Sequence, residues 1–214
     1  MTSRTGRFIT LEGIDGAGKS THAPWLAERI AEAGHGIVLT REPGGTPLGE
    51  ALRALLLRET MSHDSEALLM FAARREHLEA VIRPALERGD WVLCDRFTDA
   101  TFAYQGGGHG VALERIRELE CWVHGDCQPD LTILFDVPPA VSRARLDKAR
   151  REGRTLDKFE CEAGGFFERV RNAYLERARA EPRRFRVVDS TRPLKAVRAD
   201  LGTWLAEQET SARR

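Results

Sequence analysis

Apolar residues fall along this chain in two rhythms. Short runs of consecutive or alternating apolar positions, "RFITLEG" (7–13), "GIVLTRE" (36–42), "DWVLCDR" (90–96), "DLTILFDV" (130–137) and "RFRVVDS" (184–190), predict five β-strands. Between them, apolar residues recur every three or four positions. "THAPWLAERIAEAG" carries Trp25, Leu26 and Ile30 in that rhythm and stops at Gly34. "LGEALRALLLRE" and "SEALLMFAARREHLEAVIRPALERG" predict two more helices, the second capped by Asp64 or Ser65 and ended by Gly89. "ALERIRELECWVHG", a charged stretch from Pro138 and Pro139 through Arg151, "FFERVRNAYLERARAE" and "PLKAVRADLGTWLAEQ" complete the helices, and the final "ETSARR" reads as frayed.

Strands alternating with helices predict an α/β fold with a doubly wound parallel sheet and helices on both faces. In such sheets ligands gather outside the carboxyl ends of the strands. Gly13, Arg41, Asp95 and Asp136 all lie at predicted strand ends. The motifs that carry them should therefore meet in one cleft.

One of those motifs names its chemistry. "GIDGAGKST" places Gly13, Ile14, Asp15, Gly16, Ala17, Gly18, Lys19, Ser20 and Thr21 between a strand and a helix, in the phosphate-loop pattern of glycines followed by Lys-Ser. The glycines let backbone N–H groups turn inward around a phosphate, and the helix start adds partial positive charge. Lys19 is expected to bridge the β- and γ-phosphates of ATP, with Ser20 on Mg²⁺. Two letters are unusual: Asp15 is an acid in an anion-binding loop, and Gly16 is a bare glycine.

Charge and composition narrow the partners. Of 214 residues, 33 are Lys or Arg and 33 are Asp or Glu, so no basic surplus points to a long nucleic acid. Cys94, Cys121, Cys127 and Cys161 show no zinc-like Cys-x-x-Cys spacing and read as reduced cytosolic thiols. "MTSRTGRFITLEG" is too polar for a signal peptide, and no apolar run suits a membrane span. A cytoplasmic protein of one domain, 1–214, is expected.

Three classes of phosphate-loop protein compete. A switch GTPase reads guanine with Asn-Lys-x-Asp, but the one asparagine here, Asn172, is followed by Ala173. A motor ATPase needs a basic track, which balanced charge does not favour. A kinase needs an acceptor pocket beside the first site, and the remaining motifs suit one. "TREPGGTPLG" (40–49) turns at Pro43, and "DRF" (95–97) offers Asp95 for a water of the Mg²⁺ shell and Arg96 for an acceptor phosphate. "FAARR" (71–75) sets Phe71 and either Arg74 or Arg75 on one helical face, suited to a stacked base. "TFAYQGGG" (101–108) offers Thr101, Tyr104 and Gln105 before a flexible glycine run. Taken alone, each stretch also fits a plain structural role: a turn, a strand-end ion pair, a core Phe, a mobile loop.

"GIDGAGKST", "REPGGTPLG", "DRFTDATFAYQGGG" and "PDLTILFDV", in this order and at these separations, resemble bacterial thymidylate kinases over roughly residues 7–205. The resemblance implies a P-loop NTPase fold with a short mobile lid, and transfer of the γ-phosphoryl of ATP to dTMP with Mg²⁺, usually by a homodimer. It implies that Asp15 contacts the deoxyribose 3′-hydroxyl and that Phe71 stacks on thymine. Arg74 would hydrogen-bond the base, with Arg75 competing. Arg53 and Arg96 would hold the dTMP phosphate. Thr101, Tyr104 and Gln105 would line the nucleoside pocket, Tyr104 crowding a ribose 2′-hydroxyl. A kinase for another nucleoside monophosphate, and more remotely an ATPase regulating a partner protein, are the alternatives.

"RARLDKARREGRTLDKFE" (143–160) is dense in Arg and Lys, with a break at Gly153. A lid is expected at about 148–160, excluding water from transfer. Some members of the family carry a catalytic Arg at the position of Gly16; others supply one from the lid. This chain looks like the second kind, with Arg150, Arg151 and Arg154 as candidates. The family usually has Asp-Arg near the lid's end where this chain has Asp157-Lys158, which keeps the charge but loses the bidentate fork. No His or Cys stands in a nucleophile setting, so transfer should be direct.

Overall fold

The computed structural model describes residues 6–155, 157–162 and 165–212. Five strands, β1 (Phe8–Glu12), β2 (Ile37–Arg41), β3 (Trp91–Asp95), β4 (Leu131–Asp136) and β5 (Phe185–Asp189), form one sheet in the order β2-β3-β1-β4-β5. Every pairing is parallel. All five lie within the stretches expected from apolar patterning. β1, at the centre, is buried along its whole length, as a strand covered on both faces must be.

The helices follow between them: α1 (Lys19–Glu32), α2 (Pro47–Arg58), α3 (His63–His77), α4 (Arg83–Glu87), α5 (Thr98–Thr101), α6 (Leu113–His124), α7 (Pro139–Arg151), α8 (Phe166–Ala180) and α9 (Leu194–Ala212). Alternation along the strands divides the core between the two faces. Ile9, Leu11, Leu93 and Ile133 join α1, α8 and α9 in one apolar cluster, while Phe8, Val92 and Cys94 join Phe71, Leu78, Ile82 and Phe97 in the other. Burying each large apolar side chain contributes about 1.5–3 kcal/mol. Thr10 and Thr132, side by side in β1 and β4, hydrogen-bond through their hydroxyls at 2.8 Å, which satisfies two buried polar groups.

Four local expectations are corrected. The helix at 65–89 starts earlier, because Ser62, not Asp64 or Ser65, caps it by accepting from the Ser65 N–H at 3.2 Å. It is also not uniform. Pro84 lacks an N–H, and the ladder widens into a π-helical segment at Leu78–Ile82, where the Arg83 N–H bonds Leu78 O. The glycine run is not a flexible loop. Phe102–Gly108 is π-helical and largely buried against α8, where a Cβ on Gly107 would stand 2.5 Å from Ala173 and one on Gly108 2.4 Å from Phe166. Those glycines serve close approach rather than mobility. The end of the chain is helical through Ala212, with the Thr210 and Ser211 hydroxyls bonded back to the carbonyls of Ala206 and Glu207; residues 213 and 214 lie outside the described residues. Among the described residues no helix is long and apolar enough to cross a membrane.

Candidate active site

The loop from Gly13 to Gly18 joins buried β1 to α1, and Gly16 and Gly18 both adopt positive φ. Lys19 opens α1 only 6% exposed, its Nζ donating to Gly13 O at 2.9 Å and to Ile14 O at 3.4 Å. Burial first, and then Arg96, lower its pKa from the usual lysine value. Gly16 is close to α7: at φ +74, a Cβ there would lie 2.9 Å from Ser142 O. A larger residue at position 16 would need α7 to shift. In its place α7 sends Arg145 to the loop, donating to Gly16 O at 3.0 Å and Ser190 O at 2.8 Å, while Ser142 Oγ donates to Asp15 O at 2.5 Å.

Above the loop is a cleft of about 760 Å³, lined among others by Asp15, Gly16, Gly18, Lys19, Ser20, Thr21, Asp95, Arg96, Arg145 and Arg154. That volume suits a nucleotide. Ser20 and Asp95 both face it, and Asp95 Oδ1 is buried without a hydrogen-bond partner among the described residues. A buried carboxylate oxygen left over beside a hydroxyl suits a hard cation with its waters.

Asp15 does not stand alone in the loop. Arg96 Nη2 donates to its Oδ1 at 2.6 Å, and the Tyr104 hydroxyl donates to its Oδ2 at 2.7 Å. Arg96 also reaches the hydroxyls of Tyr104 at 3.0 Å and Tyr174 at 3.2 Å. Tyr174 in turn donates to Glu12 Oε2 at 2.7 Å, and the Phe97 N–H to Glu12 Oε1 at 2.7 Å. Burial pushes the Asp15 carboxyl up, but Arg96 and then Lys19 outweigh it and hold the pKa below the ordinary value. Glu12 goes the other way. Burial, then the charge of Asp99, raise it to about 8 despite Arg96. Arg96 itself sits at φ +71, an uncommon conformation for a residue with a Cβ.

A smaller cavity of about 90 Å³ adjoins the cleft. It is lined by Pro43, Arg53, Leu57, Met70, Arg74, Phe97, Ala100, Thr101, Tyr104, Gln105 and Phe159, together with Asp15, Glu42, Arg96 and Asp157. Arg74 is 2% exposed; its Nε donates to Glu42 Oε2 at 2.7 Å and its Nη2 to Thr101 Oγ1 at 3.1 Å. Glu42 Oε1 meets His77 Nδ1 at 2.9 Å. Arg74 Nη1 is buried with no partner among the described residues, a donor available to an occupant of the cavity. Arg53 Nη1 holds Pro43 O at 2.9 Å beyond a cis Glu42–Pro43 bond.

The two arginines of "FAARR" lie in different surroundings. Arg75 bonds Val123 O and pairs with Glu79, while Arg74 reaches the cavity. The aromatic half of that expectation does not survive. Phe71 is buried in the apolar cluster behind Arg74 and does not line the cavity; Met70, four residues before Arg74 and so on its helical face, does.

The lid stretch also separates its candidates. Arg154 lines the cleft and pairs with Glu160, whereas Arg150 and Arg151 are exposed and outside the lining. Lys158 pairs with Glu66 at 2.8 Å, and Asp157 lines both cavities. Leu156, Ala163 and Gly164 lie outside the described residues.

Nothing in the sequence sets Arg145, Glu42, Met70 or the Glu12–Tyr174 pair apart as site residues, and Asp157 stands out there only as the neighbour of Lys158 near the lid's end. Arg145 was visible only as one cation in a basic stretch. Glu42 stood inside "REPGG", beside the Pro43 that drew attention. Met70 is one apolar residue among several in α3, and its place four residues before Arg74 sets it on the cavity side.

The family model for thymidylate kinase matches residues 11–201. The chain is 62% identical over 201 residues to a thymidylate kinase of Bordetella petrii, covering 94% of this chain and 95% of that one. It is 62% identical over 196 residues to one of Cupriavidus metallidurans, covering 92% and 96%. A crystal structure of thymidylate kinase from Ehrlichia chaffeensis superposes with a TM-score of 0.72 at 37% identity, covering 86% of this chain and 93% of that one. With a phosphate loop, an adjoining second cavity and near full-length identity of this order, the chain belongs to the thymidylate kinase family.

Proposed function

We propose that this protein transfers the γ-phosphoryl group of ATP to dTMP, giving dTDP and ADP, by direct in-line displacement. The observation that carries the reading is a common wall: Asp15, Glu42, Arg53, Arg96 and Asp157 line both the phosphate-loop cleft and the smaller cavity. Two cavities that meet over shared charged residues suit a donor and an acceptor placed end to end, which transfer without a phospho-enzyme requires.

In this reading the N–H groups of the loop from Gly13 to Thr21, and Lys19, grip the ATP phosphates. Arg53 and Arg96 hold the dTMP phosphate, and Asp15 accepts from the deoxyribose 3′-hydroxyl. Arg74 Nη1 donates to the base, with Met70 and Phe97 beside it and Thr101 and Gln105 at the cavity wall. Tyr104, fixed between Asp15 and Arg96, crowds the 2′ position and favours deoxynucleotides. Arg154, released from Glu160, supplies positive charge to the transferring group in the role that Gly16 leaves open. Mg²⁺ held by Ser20 and, through water, Asp95 would neutralise phosphate charge.

The proposal includes a homodimer working in the cytoplasm. Leu68 on α3 and Trp122 on α6 are 55% and 80% exposed beside an apolar groove that also involves Ala67, Ile116 and Leu119, a surface suited to a second copy. Incubation with ATP, Mg²⁺ and dTMP should yield dTDP on chromatography, and sedimentation should give a dimer. Absence of dTDP overturns dTMP as the acceptor, and a monomer at micromolar concentration overturns the assembly.

A further inference from the structure

A second cluster of chemistry-bearing side chains lies outside both cavities. Glu66, in the first turn of α3, is 2% exposed. Its Oε2 pairs with Lys158 Nζ at 2.8 Å, and its Oε1 accepts from Gln105 Nε2 at 2.8 Å. The same Oε1 lies 3.7 Å from Nε2 of His109, the residue that follows the π-helical segment. His63, the exposed first residue of α3, stacks its ring on His109 with centroids 4.0 Å apart and planes 9° apart. One ligand-capable atom from each of His63, Glu66 and His109 falls within 4.8 Å of the other two.

Two imidazoles and a carboxylate are a donor set for Zn²⁺ and its neighbours, not for Mg²⁺, which takes oxygen ligands. Bonds of about 2.0–2.2 Å bring tetrahedral donors to roughly 3.4 Å of one another. The Glu66–His109 separation of 3.7 Å is near that span already. The exposed His63 ring needs only a rotation to close the set. Glu66 is held for the task, since Lys158 and Gln105 fix its carboxylate as outer hydrogen bonds fix a ligating group. Oε1 retains a second lone pair beyond the one that Gln105 uses.

We propose that His63, Glu66 and His109 form a site for one divalent transition-metal ion of the Zn²⁺ class, separate from the cleft of the phosphate loop. None of the three lines either cavity, but their partners do different work nearby: Gln105 lines the smaller cavity and Lys158 belongs to the lid stretch. An ion here ties the start of α3 to the turn after Gly108 and shares the Glu66 carboxylate with Lys158 of the lid stretch. The site does not depend on the acceptor being dTMP.

The test uses the full chain without an affinity tag, stripped of metal and free of nucleotide, titrated with ZnCl₂ by calorimetry. One equivalent per chain should bind. His63→Ala should weaken that binding by about tenfold or more while leaving thermal unfolding of the metal-free protein unchanged, since His63 is exposed. Co²⁺ should give a tetrahedral visible absorption that His63→Ala and His109→Ala each remove. Equal Zn²⁺ affinity in the wild type and His63→Ala, or no one-to-one binding in the wild type, overturns the proposal.

Discussion

Arg96 donates to Asp15 at 2.6 Å, joining the turn after β3 to the middle of the phosphate loop. The contact accounts for an acid among anion-binding groups. Arg96 and Lys19 keep Asp15 ionised, and Asp15 returns the favour by holding a guanidinium at the wall between the two cavities. The backbone of Arg96 is at φ +71, so this placement is maintained by the surrounding network of Tyr104, Tyr174 and Asp15 rather than by local preference.

The lid arginines should not be equivalent. Arg154 lines the cleft, while Arg151 is exposed outside it. Arg154→Ala should lower kcat by about 10³-fold with a smaller change in dTMP affinity, the size expected for a lost transition-state cation. Arg151→Ala should change kcat by no more than a few-fold. A normal kcat for Arg154→Ala in steady-state assays would reduce the lid to a cover.

Met70 and Phe71 should part company. Met70→Ala should raise the KM for dTMP about tenfold by opening the cavity wall. Phe71→Ala should act on the fold, costing about 3–5 kcal/mol in denaturant unfolding, because its ring fills the core behind Arg74. A raised KM with undiminished stability in Phe71→Ala would instead place that ring against the substrate.

All five strands are legible in the apolar pattern: β1, β3 and β4 are covered on both faces and leave a dense signal, while the partly exposed edge strands β2 and β5 keep short apolar runs between turn residues. The phosphate loop was equally legible, since its function lies in backbone geometry that glycine spacing encodes. The acceptor side was not. Met70 and Phe71 are both apolar and adjacent, and only the orientation of α3 decides which faces the cavity. The glycines at 106–108 looked mobile because sequence carries no sign of Ala173 and Phe166 packed against them. Arg145 is one cation among many in the sequence, and only packing of α7 on the loop sets it apart, while Arg154 is distinguished from Arg150 and Arg151 by its place in the cleft lining.

Glu12 should leave a mark on stability. Its carboxyl titrates near 4.5 ordinarily and at about 8 in the fold. Between those values the folded state holds a proton that the unfolded chain has released, so this group's contribution to stability falls as pH rises from about 4.5 to 8. Glu12→Gln, which keeps the shape and cannot ionise, should flatten that fall in urea unfolding measured at pH 6 and pH 8. An unchanged slope would mean that Glu12 is already ionised in the folded protein at pH 6.

The central claim is that the cavity beside the phosphate loop selects dTMP as acceptor. It is tested most directly by ATP consumption with Mg²⁺ against dTMP, dUMP, dCMP, dGMP and dAMP, each over a full concentration range. The expected result is that dTMP gives the highest kcat/KM and that every dTMP consumed appears as dTDP. Preference for a different monophosphate would contradict the assignment of the acceptor, and ATP turnover unaffected by any of the five would contradict the kinase itself.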